Sequence, residues 1–211
     1  MVKEAQKQDR SWIVWMAIVV TAVVAAVGIA IWLQHQEIMK RVDSSFAKTT
    51  ESDVSGHERF AEAYPQLTAE NVFVYRNSRE IQEILQKGSG IVFLCDPANT
   101  WCQHYAPLLN ETAKSKEVNK IFYYNTPGGL KKSPADYKKI AGIINSAQSN
   151  ESDVINVPCT VFVLNGKIIA IDTETAVDMS GDADPKDYWT PEHVEDFSNR
   201  INGYIDSINA K

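Results

Sequence analysis

The chain has 211 residues, 44% of them hydrophobic and 23% charged, with a net charge of −6. That length supports one domain with a proper core, and the composition is ordinary for a globular protein that carries an apolar anchor. The acidic balance argues against nucleic-acid binding, which requires a basic patch.

Residues 1–11 are polar, and residues 12–33 then run without a charge. About 20 apolar residues cross a bilayer as a helix. Trp12 and Trp15 at one end and Trp32 at the other match the aromatic belts of the two interfaces. A cleaved signal peptide is the competing reading, but its apolar part is usually about 7–15 residues long. No cysteine follows at a lipoprotein position. The reading is therefore an uncleaved transmembrane signal-anchor. Lys3, Lys7 and Arg10 precede the span and Lys40, Arg41 and Lys48 follow it, so the positive charges are nearly balanced. Short amino-terminal tails seldom cross, which places 1–11 in the cytoplasm and 34–211 outside it. Residues 34–69 read as an extracytoplasmic linker or stalk. Within it, 44–56 is rich in Ser, Thr and acids. A short helix over 57–64 stops before Pro65.

The domain proper reads as 70–211. A short strand is expected at 72–75, then a helix over 78–87 with Ser78 as N-cap, Ile81, Ile84 and Leu85 on one face, and Gly88 as its stop. The apolar, β-forming run 91–95 predicts a buried strand. Asp96-Pro97 is a turn signal, and Asn99 or Thr100 caps a helix running to 116. A strand that feeds a helix through a short cysteine-bearing loop is a reactive-thiol layout, because the positive helix end lowers a thiol pKa. Further on come a strand at 120–124 and a helix opened by Ser133-Pro134. Two strands, 160–164 and 167–171, are joined at Asn165-Gly166, a strong hairpin signal. A last helix opens at Thr190-Pro191. Strands alternating with helices predict an α/β domain with a central mixed sheet, largely parallel, and an antiparallel hairpin at its edge.

This order resembles the thioredoxin-like superfamily, over about residues 70–210, and two local motifs carry the likeness. Asn99-Thr100-Trp101-Cys102 falls on the family's C-x-x-C, with Ala106-Pro107 on its Ala-Pro, and Val157-Pro158-Cys159-Thr160 falls on its cis-proline loop before the Asn165-Gly166 hairpin. The segments KIFYYN, DYKKIAGII and VFVLNGKIIA are most similar to the bacteriocin-transport-accessory group of Gram-positive bacteria. The resemblance implies a groove for extended peptide beside Val157, Pro158 and Cys159. The departures matter more. Asn99 stands where the family has its nucleophilic cysteine, and Phe93 where it has a buried acid. Cys102 matches the buried resolving cysteine, so two-thiol exchange lacks its attacking thiolate.

The resemblance implies that Cys102 and Cys159 are near neighbours. Three states fit them: two buried free thiols, a structural bridge, or a non-adjacent redox pair. Cys95 ends a strand and is expected to be buried. His104 lies about 200° round a helix from Cys102, which argues against a Cys–His pair. His35, His57 and His193 are too scattered to suggest a metal, and no cofactor is expected. Asp172, Glu174, Asp178, Asp182, Asp184 and Asp187 crowd one loop, whose spacing does not fit an EF-hand, so it reads as solvated.

The expected function is therefore a membrane-anchored scaffolding module that binds other envelope proteins or extended peptide and no nucleic acid. The alternative is a thiol-disulfide oxidoreductase working through Cys102, alone or with Cys159.

Overall fold

The computed structural model describes residues 14–21, 28–30, 33, 51–126, 135–150, 152–173 and 184–209. It falls into two units, Met1–Ser44 and Ser45–Lys211. In the first, residues 14–21 are helical. No helix among the described residues is long and apolar enough to cross a membrane. Residues 12–13, 22–27 and 31–32 of the expected span lie outside the described residues.

Among the described residues, the second unit begins with helix α1 (Glu51–Ala63), followed by β1 (Phe73–Tyr75), α2 (Ser78–Lys87), β2 (Gly90–Cys95), α3 (Thr100–Ser115) and β3 (Ile121–Asn125). Then come α4 (Ala135–Ala147), β4 (Cys159–Leu164), β5 (Lys167–Asp172), the single turn α5 (Pro185–Tyr188) and α6 (Pro191–Asn209). The five strands form one mixed sheet in the order β1-β3-β2-β4-β5. β1, β3 and β2 run parallel, while β4 and β5 are antiparallel to their neighbours.

Strand β2 is buried along its whole length, between β3 and β4. Strand side chains alternate between faces, and the core divides accordingly. Ile91, Phe93 and Cys95 join β3 and β4 residues in a cluster with Phe60 of α1 and Tyr64 just after it, Tyr105 and Leu109 of α3, and Phe197 and Ile201 of α6. Val92 and Leu94 face the other way, into a cluster with Ile81 and Leu85 of α2 and Tyr137 and Ile140 of α4. The sheet is thus covered on both faces, which its run of buried apolar strand residues requires.

Local chemistry accounts for the element ends. Asn77, not Ser78, caps α2: its side chain accepts from the Arg79 and Glu80 amides while Glu80 accepts from the Asn77 amide. This is a reciprocal capping box, and its Asn-x-x-Glu spacing stood in the sequence. At the hairpin, Asn165 and Gly166 both have positive φ, 53° and 73°. A Cβ on Gly166 would lie 2.2 Å from the Gln86 carbonyl oxygen, so only glycine lets the turn sit on the end of α2.

The stretch expected to be a stalk requires correction. Residues 51–56, read as linker, belong to helix α1, and Phe60 and Tyr64 are fully buried. Phe60 stacks on Tyr64 and Phe73 at centroid distances of 4.3 and 4.1 Å. The polar composition of the segment hid two aromatic residues at helical spacing. Phe60→Ala should cost about 3–5 kcal/mol of unfolding free energy in a urea titration, as for a buried phenylalanine. A stalk residue would change it by less than about 0.5 kcal/mol.

Candidate functional site: a bridged strand–helix junction

The junction between β2 and α3 is built from a turn and a cap. The Asp96 carboxylate accepts from the Ala98 amide at 2.9 Å, and its carbonyl accepts from the Asn99 amide. Asn99 then caps α3, its Oδ1 accepting from the Trp101 and Cys102 amides at 2.8 and 3.4 Å. Gln103 Nε2 donates to the Pro97 and Ala63 carbonyls at 2.6 and 2.9 Å, tying the loop to the end of α1. Tyr123 donates its hydroxyl to the Cys95 carbonyl and meets the Tyr64 hydroxyl at 3.1 Å.

Cys95 and Cys102 form a disulfide, with Cα atoms 5.9 Å apart. This corrects the expected neighbourhood of Cys102 and Cys159. Parity explains it. Cys95 follows Ile91 and Phe93 onto the face that carries α3, whereas Cys159 belongs with Val161 and Val163 on the face that carries α2 and α4. Cys159 thus packs in a different core cluster from the bridge and stays a free thiol. A short turn, by contrast, brings the end of a strand next to the first turn of the following helix. That signal was present in the sequence as two cysteines on either side of Asp96-Pro97-Ala98-Asn99.

Burial governs what the three thiols can do. Cys95, Cys102 and Cys159 are all fully buried. Burial, and secondarily the charge of Asp172, pushes the Cys159 thiol well above its ordinary pKa, so it stays protonated and inert. Thr100 is exposed and Asn99 partly so, while Trp101 is only 7% exposed. Tyr188 of α5 packs on its edge at 5.2 Å and stacks on His193 at 4.5 Å. The Val157–Pro158 peptide is cis. Because Leu94 pairs with Cys159, Pro158 lies level with Cys95 at the same end of the sheet.

A buried acid does exist, in a place the sequence does not signal. Asp172 ends β5 and is 2% exposed, rather than lying in a solvated acidic loop. Its carboxylate accepts from Arg200 Nε at 2.6 Å and from the Tyr105 hydroxyl at 3.2 Å, and Tyr105 also meets Thr160 Oγ1 at 2.8 Å. The Phe93 position is filled by aromatic packing on Tyr105, at 5.5 Å. Asp184 caps α5, and 174–183, with the other acids of that stretch, lies outside the described residues. Among the described residues no group of three or more potential ligands could hold a metal ion.

The mixed sheet with helices on both faces is compatible with a thioredoxin-like fold. No protein-family model matches the chain, and no curated protein matches it.

Two outcomes follow from the buried groups. The bridge closes a short loop, so Cys95→Ala with Cys102→Ala should lower unfolding free energy by about 2–3 kcal/mol on the chain-entropy account, read by denaturant titration against the oxidised parent. Burial also raises the pKa of Cys159, Tyr64, Tyr105 and Tyr123 above their unfolded values. Their contribution to stability is therefore whole below about pH 9 and lost as pH rises past the unfolded pKa values. Removing Cys159 by Cys159→Ala should make the alkaline fall shallower, by up to about 1.4 kcal/mol per pH unit. An unchanged slope would contradict the burial of this thiol.

Proposed function

We propose that this chain is a membrane-anchored, extracytoplasmic thioredoxin-like protein that has given up two-thiol exchange and works as a protein-binding module of an envelope, secretion or transport complex. One observation carries the reading. Cys102, which matches the family's resolving cysteine, is fully buried in a bond to Cys95, and a capping asparagine, Asn99, occupies the nucleophile's position. Exchange needs an accessible thiolate. The junction instead offers a stapled, hydrogen-bonded surface. The cis Val157–Pro158 bond at the same end of the sheet supports the family resemblance and the idea of a groove for extended peptide. The uncharged run 12–33, whose described members Trp15, Ile18, Val20 and Ile29 expose more than half of their surface, supports the anchor.

A thiol-disulfide oxidoreductase is the second reading, and the placement of the disulfide at a strand–helix junction favours it. Photo-crosslinking from Thr100 in the full chain, in the membranes of its own cells, separates the two. The module reading expects a discrete adduct that persists when Cys95 and Cys102 are both replaced by alanine. A partner held only as a mixed disulfide, and lost on Cys102→Ala, would overturn it in favour of the enzyme. The positional match has its own test. Asn99→Cys combined with Cys95→Ala places two thiols on the C-x-x-C positions, so insulin reduction should rise clearly above that of the parent chain. A folded variant with no gain would count against the alignment.

A further inference from the structure

On the carboxyl side of β1 and β3, reaching Asn125 beside the bridged Cys95, lies a cleft of about 360 Å³ lined by Arg59, Tyr75, Arg76, Asn77, Tyr124 and Asn125. Small-molecule sites begin at about 300 Å³, and open sheets bind ligands beyond the carboxyl ends of parallel strands. The lining is unusual for this chain. In a protein of net charge −6, the cleft has two arginines and no acid among its walls.

Both cations are held in place. The Arg59 guanidinium lies 4.2 Å from the centre of the Tyr75 ring. Arg76 donates from Nη1 to the Tyr75 carbonyl at 2.9 Å and lies over the Phe122 ring. Stacked, positioned guanidinium groups lose less freedom on binding and match the planar fork of carboxylate or phosphate oxygens. Asn77 is the N-cap of α2, so the positive end of that helix adds to the potential. Two nearby acids lie outside the lining: Glu80 forms an ion pair with Arg76 Nε at 3.9 Å, and Glu62 lies within electrostatic range of Tyr75.

We propose that this cleft binds the oxyanion group, phosphate or carboxylate, of a small-molecule ligand, with Arg59 and Arg76 as its two clamps and the Tyr75 and Tyr124 rings as walls. The assignment is independent of the disulfide and of any partner at the Thr100 surface.

Isothermal titration of the full chain with inorganic phosphate, and separately with citrate, tests it at low ionic strength. Saturable binding of phosphate alone identifies a phosphoryl ligand, of citrate alone a carboxylate ligand, and of both a site for either group. Arg59→Gln should weaken that binding at least ten-fold. Arg59 is exposed, so the variant should fold, as circular dichroism would verify. Lys167→Gln, a charge change on β5, should alter affinity less than two-fold. No saturable binding of either anion, or equal weakening by Arg59→Gln and Lys167→Gln, overturns the proposal.

Discussion

Strand β2 is buried from Gly90 to Cys95 and flanked by β3 and β4, so none of its side chains reaches water. Its period-two alternation therefore decides more than its own packing. Odd-numbered residues fill the compartment under α1, α3 and α6, and even-numbered ones the compartment under α2 and α4. A slip of one position would exchange the two sets at once, which is why a doubly buried strand holds its register so firmly. The fate of all three cysteines follows. Cys95 falls in the compartment with Cys102. Cys159, opposite Leu94, falls in the other.

The same parity shapes the chemistry at the junction. Once Cys95 and α3 share a compartment, the four residues between them need only turn the chain and cap the helix. Asp96 and Asn99 do both with side-chain acceptors. The amides that would elsewhere stabilise a thiolate at the start of α3 are satisfied by a neutral carbonyl oxygen instead. The helix terminus is spent on structure. Burial of Trp101 under Tyr188 closes the surface further, while Thr100 stays open to solvent.

Much of this architecture is legible in the amino-acid sequence. The alternation of strands and helices, the hairpin at Asn165-Gly166, the buried strand at 91–95 and an N-cap at Asn99 or Thr100 all follow from local patterns of one or two turns. The features that sequence patterns miss are non-local. Helix α1 looks like a stalk because its sequence is polar, and only contact with Phe73 and Tyr123 shows why Phe60 belongs to the core. The Cys95–Cys102 bridge needs strand parity to be carried through a turn into a helix. Asp172 looks like one acid among several, and its partner Arg200 lies 28 residues away. A buried carboxylate is recognisable only through the cation that offsets its desolvation.

The β4–β5 hairpin is held at both ends by contacts that cannot be exchanged. At the turn, the Asn165 amide donates to Ser89 Oγ and the Gly166 amide to the Gly88 carbonyl, at a point too tight for any side chain. At the far end, the Asp172 carboxylate is clamped by Arg200. β5 is an edge strand rich in isoleucine, the kind of edge that invites pairing with other chains. Sliding it by one residue would set Ile171 against the Arg200 guanidinium and move the glycine off its only tolerable position. The hairpin is pinned like a ruler at both marks, and the two pins make the edge of the sheet a poor template for mispairing.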